Sequence, residues 1–321
     1  MEAAATPSIL CANSAAGDGW ALYQGDCVEV LAQLPDRSVD FAIYSPPFAN
    51  LYVYSDSERD MGNSRDDGEF MRHYAFAVRE IYRALRPGRL AAVHCKDLVS
   101  YKGSHGMAGL RDFPGEIIRL HLAEGFAYHS RVTVWKCPVT EMQRTKAHGL
   151  LYKQLRKDST FSRQGLAEYV LVFRKWARSD ADDALVQPVS HTEAGFPLDQ
   201  WQEWASPVWM DIDQTNVLNV KQARADEDEK HMCPLQLDLI ERSMRLWSND
   251  GDVVLSPFAG IGSEGVVALK TGRRFVGVEL KPEYFEHAAE NLRAATAQHE
   301  LLLPPAAPRS KRPKKSRGAT P

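Results

Sequence analysis

Residues 252–279 constrain the fold of this chain more than any other stretch of its sequence. They begin with an apolar run typical of a buried strand, over residues 253–255, and continue into a turn that contains two glycines. A helix over about residues 263–271 follows, and a second strand, residues 275–279, ends in an acid. Two strands joined by a helix within so short a stretch are typical of an α/β protein.

The glycine turn has the features of a site for a nucleoside cofactor. Gly260 and Gly262 allow a ligand to approach the backbone at the amino end of the helix. Glu279, at the end of the next strand, is suited to hold both ribose hydroxyls. Gly260, Gly262 and Gly265 have the spacing of the phosphate-binding pattern G-x-G-x-x-G, which is a weak signal on its own. Phe258 is better suited to contact an adenine or a sulfonium than a pyrophosphate. A nicotinamide-dependent oxidoreductase is still an alternative at this point.

A second informative stretch, residues 39–48, ends an apolar run abruptly in Ser45, Pro46, Pro47 and Phe48. The run is typical of a buried strand, and the prolines end it because proline donates no N–H and fixes its own φ. The carbonyls of Ser45 and Pro46 are then left without strand partners and could accept hydrogen bonds from an amino group. The Ser45 hydroxyl stands beside them, and the Phe48 ring could stack on a flat base. An ordinary junction between a strand and a turn is the alternative.

Taken together, these stretches resemble the cofactor, ribose and catalytic motifs of the S-adenosylmethionine-dependent DNA amino-methyltransferases. The catalytic motif precedes the cofactor loop at residues 257–262, which is the order in the permuted branch of that family. Residues 23–31 resemble the amino-terminal segment of the family, and the resemblance implies that Asp26 faces the adenine of the cofactor. Residues 230–236, which include His231, resemble the segment just before the cofactor strand.

The resemblance implies an α/β fold with a doubly wound, mostly parallel sheet of the Rossmann-like methyltransferase type and an inserted target-recognition segment. It also implies S-adenosylmethionine as the cofactor and double-stranded DNA as the substrate. The implied catalytic residues are Ser45, Pro46, Pro47 and Phe48, and the implied cofactor-binding residues are Asp26, Pro257, Phe258, Gly260, Gly262, Ser263, Glu279 and His231. Ser256 departs from the family, in which an Asp usually begins the loop.

The implied reaction is methyl transfer to the exocyclic amino group of a base that is flipped out of the duplex and stacked on Phe48. The carbonyls of Ser45 and Pro46, with the Ser45 hydroxyl, would favour a tetrahedral nitrogen by accepting its hydrogens, and no strong general base is required. Serine in the first position is commoner in the family among enzymes acting on cytosine N4, so cytosine is the favoured target and adenine N6 the alternative. A non-catalytic DNA-binding protein with the same fold is an alternative of another class.

Strands and helices alternate along most of the chain, which predicts a mostly parallel sheet with helices on both faces. The alternation is interrupted between about residues 177 and 229, where acidic residues and tryptophans are frequent. The expected organisation is a flexible N-terminus (1–18), a catalytic half (19–176), a target-recognition segment (177–229), a cofactor-binding half (230–298) and a basic disordered tail (299–321).

The distribution of charge is consistent with a DNA substrate although the net charge is −3. Residues 304–321 carry six Lys and Arg and no acid, and removing these charges from −3 leaves −9 for the rest of the chain. Such a tail can add phosphate affinity that does not depend on sequence, or it only aids solubility. Residues 144–163 are also basic and interleaved with aromatic residues, which favours a DNA-facing loop over a solvated surface. The candidate DNA-binding residues there are Arg144, Lys146, Lys153, Arg156, Lys157 and Arg163.

Composition argues against several other classes of protein. With 321 residues, 44% of them hydrophobic and 25% charged, the chain is long enough to bury a large core. No apolar run reaches about 18 residues and the N-terminus lacks the pattern of a signal peptide, so we expect a cytoplasmic protein with no membrane partner. The five cysteines form no C-x-x-C pair, so no metal site is expected. The sequence leaves open whether a restriction endonuclease is a partner.

Overall fold

The computed structural model describes residues 9–47, 61, 64, 67–145, 152–161, 165–218 and 234–302. Four residues predicted to act at the site lie outside these ranges, namely Phe48, Lys146, Arg163 and His231, and so does most of the basic tail. Among the described residues, no helix is both long enough and apolar enough to cross a membrane.

Strands and helices alternate along the described chain, and the stretch 252–279 forms a strand, a helix and a second strand. The strands are β1 Asn13–Gly17, β2 Trp20–Gln24, β3 Val39–Tyr44, β4 Leu85–Lys96, β5 Leu98–Ser100, β6 Gly109–Arg111, β7 Ala127–Val134, β8 Glu168–Arg174, β9 Val208–Trp209, β10 Val253–Ser256 and β11 Arg274–Glu279. The helices are α1 Cys27–Leu31, α2 Asp67–Ala84, α3 Lys102–His105, α4 Phe113–Ala123, α5 Pro138–Thr145, α6 Tyr152–Lys157, α7 Asp180–Asp183, α8 Leu198–Trp204, α9 Leu237–Trp247, α10 Ser263–Lys270 and α11 Pro282–Leu302.

One large sheet organises the described chain, with strands in the order β1-β2-β11-β10-β3-β4-β8-β7-β9. The five neighbouring strands β2, β11, β10, β3 and β4 are parallel to one another. In contrast, β8 is antiparallel to both β4 and β7. Thus β10 lies between β11, which follows it in the chain, and β3, which comes far earlier. The predicted α/β fold with a mostly parallel sheet is confirmed.

The central strands are buried on both faces, which explains why they read as continuous apolar runs in the sequence. In β3, Phe41 and Ile43 pack with residues of α9, α10 and α11 on one face of the sheet. Ala42 and Tyr44 face the opposite way and pack with residues of α1, α2 and α4. Two hydrophobic layers therefore enclose the sheet, and the fold is doubly wound as predicted.

The predictions for the two ends of the chain were wrong in part. Residues 13–17, predicted to be flexible, form β1 and pair antiparallel with β2. Asp18 and Gly19 join the two strands, and Gly19 has a φ of 77°, a conformation that glycine adopts readily. An Asp-Gly pair between two short strands is a strong hairpin signal. At the other end, residues 299–302 were assigned to the disordered tail but extend α11.

A buried cluster of ion pairs lies at the amino edge of the parallel strands. Arg89 of β4 contacts both carboxylate oxygens of Asp252, at 2.8 and 3.3 Å, just before β10. Its Nη2 also lies 3.6 Å from Oδ1 of Asp40 in β3, and Oδ2 of Asp40 accepts a hydrogen bond from Val253 N at 2.9 Å. All three charged side chains are buried. The cluster therefore ties β10 to two strands from a distant part of the chain.

Replacing Arg89 with Met is expected to lower the free energy of unfolding by about 3–5 kcal/mol, because it removes the cation that two buried carboxylates share. Urea unfolding followed by circular dichroism measures the loss. The matched control is Arg79→Met, which removes a surface ion pair with Glu124 and should change stability little. Equal free energies of unfolding for the Arg89 variant and the unaltered protein would show that the cluster does not stabilise the fold.

The first part of segment 177–229 packs along the same amino edge. Asp182 forms an ion pair with Arg37, just before β3, at 2.8 Å. Ser190 N donates to Oδ1 of Asn249, just before β10, at 3.0 Å. The segment then adds β9 to the sheet, parallel to β7. The chain after Trp209 therefore leaves the sheet at its carboxyl edge.

Candidate active site

The carboxyl ends of the parallel strands bring the predicted site residues to one edge of the sheet. Asp26 follows β2, Glu279 ends β11, the glycine turn follows β10, and Ser45 follows β3. β10 is the switch point of this edge, because β11, the next strand in the chain, lies on one side of it and β3 lies on the other. Such a switch point opens a crevice in which α/β proteins bind ligands. The predicted cofactor and catalytic motifs thus occupy the two sides of one crevice.

The glycine turn after β10 leaves open space beside its backbone. Gly260 and Gly262 have φ angles of 53° and 87°, which most side chains disfavour. A Cβ added to Gly262 would lie 3.3 Å from the Cβ of Ala288 in α11, whereas one added to Gly260 would have no atom within 4 Å. Gly262 is therefore required by the turn and its packing, and Gly260 leaves room for a ligand. Ser263, the first residue of α10, is buried beside them.

Glu279 is held in place by backbone groups of this turn. Its Oε2 accepts a hydrogen bond from Gly260 N at 2.7 Å, and its Oε1 accepts one from Lys281 N at 2.9 Å. A carboxylate oxygen has two lone pairs and can accept more than one hydrogen bond. Gly25 N donates to the Glu279 carbonyl at 3.0 Å, which brings Asp26 close to the end of β11. The Asp26 carboxylate also caps the amino end of α1.

A second carboxyl group, that of Glu264, is buried in the first turn of α10. Burial raises its pKa to about 8; a hydrogen bond from its own backbone N–H opposes the rise, and the nearby charge of Glu279 adds to it. At neutral pH Glu264 is therefore mostly protonated and contributes little negative charge to the turn. This residue was not predicted from the sequence.

Aromatic contacts connect the glycine turn with the catalytic strand. The ring centroid of Phe258 lies 5.8 Å from that of Tyr44 and 6.4 Å from that of Tyr74. Tyr44 is the last residue of β3 and immediately precedes Ser45. Pro257 is buried, but Phe258 is only partly buried and keeps some ring surface available to a ligand.

Ser256, which departs from the pattern that the sequence resembles, is fully buried at the end of β10. Within the described ranges its Oγ has no hydrogen-bond partner. A buried hydroxyl without a partner is costly, so it marks this strand end as a place for a polar group of a ligand. Together with the space beside Gly260 and the carboxylate of Glu279, it fits a nucleoside ligand that carries hydroxyl and amino groups, such as S-adenosylmethionine.

On the other side of β10, the Ser45 hydroxyl contacts a histidine that was not predicted from the sequence. Its Oγ lies 3.2 Å from Nδ1 of His94, near the end of β4, and 3.3 Å from the carbonyl oxygen of the same residue. Pro46 is buried and Pro47 is partly buried. The β3 strand ends at Tyr44, so the carbonyls of Ser45 and Pro46 lie beyond its ladder.

His94 belongs to a buried cluster with Glu168, Lys136 and Gln236. Its Nε2 lies 3.1 Å from Oε2 of Glu168, the first residue of β8. Lys136 Nζ lies 2.7 Å from the same oxygen, and Gln236 Nε2 lies 3.4 Å from it. Burial alone would raise the pKa of Glu168, but the contacts with His94 and Lys136 outweigh burial and hold this pKa well below its usual range. The cluster keeps an ionised carboxylate behind the contact between His94 and Ser45.

A weak sequence signal for this cluster does exist. His94 and Glu168 are ionisable residues at the ends of two apolar runs, where strands usually reach the edge of a sheet. No spacing relates them to each other or to Ser45, because antiparallel pairing of β8 with β4 brings them together.

The predicted DNA-binding residues are only partly covered by the described ranges. Lys153, Arg156 and Lys157 are exposed on α6. Arg144 lies in α5, but its side chain is not among those described. Both helices belong to the connection from β7 to β8, two antiparallel neighbours, and this connection is attached to the carboxyl edge of the sheet. The basic residues of α6 are therefore carried by the same edge as Ser45.

A doubly wound sheet with a nucleoside-type crevice at its switch point defines a Rossmann-like enzyme that acts with a nucleoside cofactor. The chain belongs to the DNA methylase family N6_N4_Mtase, which matches residues 39–290. This is a family of S-adenosylmethionine-dependent DNA methyltransferases, so the predicted cofactor and the predicted enzyme class are confirmed.

Individual relatives agree with this family. Type II methyltransferase M.BglII of Bacillus subtilis is 25% identical over 275 residues, which cover 84% of this chain and 68% of the relative. DNA adenine methyltransferase YhdJ of Escherichia coli (strain K12) is 25% identical over 282 residues, covering 86% and 83%.

Solved structures confirm the Rossmann-like methyltransferase fold. TTHA0409 of Thermus thermophilus, complexed with S-adenosyl-L-methionine, has a TM-score of 0.61 at 24% identity and covers 86% of this chain and 95% of its own. The PvuII DNA methyltransferase (cytosine-N4-specific) has a TM-score of 0.58 at 18% identity, covering 88% and 92%.

Proposed function

We propose that this protein transfers a methyl group from S-adenosylmethionine to the exocyclic amino group of cytosine, at N4, in double-stranded DNA. The observation that carries the proposal is the position of the glycine turn and Ser45 on the two sides of β10. In that arrangement, a methyl donor bound beside Gly260 and a base bound beside Ser45 would meet in one crevice. Bringing the two reactants together replaces a bimolecular encounter and accounts for much of the expected rate enhancement.

The cofactor would be held by residues at the ends of β2, β10 and β11. Glu279 would accept hydrogen bonds from the ribose hydroxyls, Asp26 would face the adenine, and Phe258 would pack against the ligand. The proposed cofactor-binding residues within the described ranges are Asp26, Pro257, Phe258, Gly260, Gly262, Ser263 and Glu279. His231 is proposed from the sequence resemblance alone. S-adenosylmethionine supplies an electrophilic methyl group on a positively charged sulfur.

Gly260→Trp is expected to abolish binding of S-adenosylmethionine without unfolding the protein, because the new side chain fills the open space beside the turn. Glu279→Ala should have the same effect because it removes the proposed ribose ligand. Isothermal titration calorimetry measures affinity, and circular dichroism checks the fold.

Gly251→Trp is the matched control for the Gly260 variant. Gly251 also has a positive φ, 78°, and no atom within 4 Å of an added Cβ, but it precedes β10 at the amino edge of the sheet. This variant should bind the cofactor normally. Undiminished affinity in both the Gly260 and the Glu279 variants would refute the cofactor assignment.

The target base would be flipped out of the duplex to reach the crevice. The carbonyls of Ser45 and Pro46 would accept hydrogen bonds from its amino group, and Pro47 would fix the backbone that presents them. These bonds favour a nitrogen whose lone pair is localised, so they stabilise the transition state more than the ground state. Phe48, proposed from the sequence, would stack on the base.

The choice of cytosine rests on Ser45 at the first position of the tetrapeptide. Adenine N6 is the alternative, and the names of similar proteins include both bases: the PvuII enzyme is called cytosine-N4-specific and YhdJ is called an adenine methyltransferase. The order of the two motifs supports the permuted branch of the family. M.BglII and M.BamHI are called Type II methyltransferases, which favours a cytoplasmic restriction and modification setting with a restriction endonuclease as partner.

Incubation with labelled S-adenosylmethionine and unmodified duplex DNA, followed by digestion and mass spectrometry of the nucleosides, identifies the product. The expected product is N4-methylcytosine, and the Gly260→Trp variant should give none. N6-methyladenine as the only product would move the assignment to adenine without affecting the cofactor site. No methylated nucleoside at all would favour a non-catalytic DNA-binding protein.

DNA would lie across the carboxyl edge of the sheet. There α6 presents its exposed cations, and the chain after β9 leaves the sheet at the same edge. We therefore place the base contacts of segment 177–229 in its part after Trp209, because its first part contacts the amino edge. The basic tail, residues 304–321, would add affinity for phosphates on any sequence.

Lys157→Ala is expected to weaken DNA binding on all sequences alike and to reduce the slope of log affinity against log salt by about 0.9, as for one lost phosphate contact. Fluorescence anisotropy at several salt concentrations measures the slope. The control is Lys270→Ala, which removes an exposed cation at the end of α10, away from the carboxyl edge. Identical slopes for both variants and the unaltered protein would remove α6 from the proposed DNA surface.

A further inference from the structure

A continuous set of polar contacts leads from the proposed base site into the protein. Ser45 Oγ lies 3.2 Å from His94 Nδ1, His94 Nε2 lies 3.1 Å from Glu168 Oε2, and that oxygen lies 2.7 Å from Lys136 Nζ. His94, Glu168 and Lys136 are buried, and only Ser45 is partly exposed. Burying three ionisable groups is costly, and methyl transfer as proposed above gives them no task.

We propose that His94 takes up, through the Ser45 hydroxyl, the proton that the target amine loses during methyl transfer. This inference rests on the proposed function and adds a proton acceptor to it. It also revises the expectation from the sequence that no base is required. His94 acts through Ser45 and does not itself touch the base.

The amino nitrogen forms a bond to the methyl carbon while the bond from this carbon to sulfur breaks, and sulfur keeps the electron pair. The nitrogen, now positively charged, gives one proton to Ser45 Oγ as the hydroxyl proton of Ser45 moves to His94 Nδ1. His94 becomes an imidazolium, and it returns the proton to water after the product leaves.

The cluster is arranged to accept this proton. Lys136 Nζ lies 2.7 Å from Oε2 of Glu168, so this carboxylate has a cation beside it before the transfer. His94 Nδ1, 3.2 Å from Ser45 Oγ, can then accept the hydroxyl proton. When His94 is protonated, the carboxylate 3.1 Å away stabilises the imidazolium. The positive charge on sulfur disappears in the same step, so the net charge of the crevice does not change.

The two contacts of Ser45 Oγ fit the states before and after the transfer. Before it, the hydroxyl donates to Nδ1 of His94. After it, Nδ1–H donates to Ser45 Oγ, and the new hydroxyl proton can be directed to the His94 carbonyl oxygen, 3.3 Å away. A hydroxyl has one proton and two acceptor sites, so both arrangements satisfy it.

Charged and polar groups from several elements surround His94. Ser45 contacts it from the end of β3 and Glu168 from β8, while Lys136, after β7, and Gln236, before α9, contact Glu168. Two residues further along β4, Lys96 lies 3.6 Å from Glu141 of α5. A substitution that leaves the net charge of this set unchanged therefore tests His94 without leaving an uncompensated charge beside it.

The experiment measures the single-turnover rate of methyl transfer to duplex DNA as a function of pH. In the unaltered protein, the rate should fall in acid along a one-proton limb, because a protonated His94 cannot accept. His94→Asn keeps an acceptor close to the position of Nδ1 but cannot take a proton. We expect it to lower the rate by about 10²-fold and to abolish the acid limb, with cofactor and DNA affinities unchanged.

Two further variants separate proton transfer from a structural role. Ser45→Ala should lower the rate as much as His94→Asn does, and the double variant should be no slower than either, because both changes interrupt one path. The double variant Glu168→Gln, Lys136→Met removes both charges together; it should retain a rate between those of the unaltered protein and His94→Asn.

His129→Asn is the matched control. His129 Nδ1 also contacts a serine hydroxyl, that of Ser130, at 2.9 Å, but it lies near the start of β7, away from the crevice. The rate of methyl transfer by this variant, and its dependence on pH, should equal those of the unaltered protein.

A rate of His94→Asn within twofold of the unaltered rate, an acid limb that persists in it, or additive losses in the double variant with Ser45 would each overturn the inference. In all three cases the unaltered protein still methylates DNA, so the proposed function stands. Absence of methyl transfer by the unaltered protein under all conditions would overturn the proposed function and the inference with it.

Discussion

The placement of β10 between β11 and β3 is the constraint on which the rest of the molecule depends. Because all three strands are parallel, their carboxyl ends meet at one edge, and the chain reverses its direction of progress across the sheet at β10. The crevice exists only because of this reversal. A slip of β10 by one residue would also turn its side chains to the opposite layer, which would remove Ser256 from the site edge and separate Phe258 from Tyr44. The Arg89 cluster at the amino edge opposes such a slip, since it bonds the start of β10 to both β3 and β4.

Buried charges thus lie at both edges of the sheet, and their surroundings differ. At the amino edge, Arg89 is enclosed by the carboxylates of Asp252 and Asp40, an arrangement whose role is to join strands. At the carboxyl edge, Glu168 and Lys136 form a similar pair, but the pair continues through His94 to a hydroxyl at the crevice. A pair that served only to join β7, β8 and β4 would need no histidine directed at the crevice. The difference between the two clusters is why the second one is assigned to chemistry and the first to stability.

Local patterns in the sequence predicted the elements that carry the site. The apolar run that ends just before Ser45 is β3, Val39–Tyr44, as predicted. The glycine turn and the acid after it also lie where they were expected, at the ends of β10 and β11. The hairpin of β1 and β2 was missed although Asp18 and Gly19 signal it, because β1 consists of small and polar residues and carries little apolar pattern of its own. Segment 177–229 was predicted as one unit, whereas its first part packs at the amino edge and its later part joins the sheet as β9.

By itself, the sequence determined the α/β class, the two motifs and the kind of cofactor. Each of these depends on residues that are close together in the chain, such as a glycine turn at the start of a helix or two prolines at the end of a strand. Short-range sterics and hydrogen bonding act in the same way wherever such residues occur. Only the tertiary structure decided that the two motifs face each other across β10, that Arg89 joins three strands at the opposite edge, and that His94, Glu168 and Lys136 stand behind Ser45. These contacts join residues from distant parts of the chain, and they form because strand pairing places particular ends side by side. No spacing along the chain encodes that pairing, since it is the burial of both faces of the sheet as a whole that selects it.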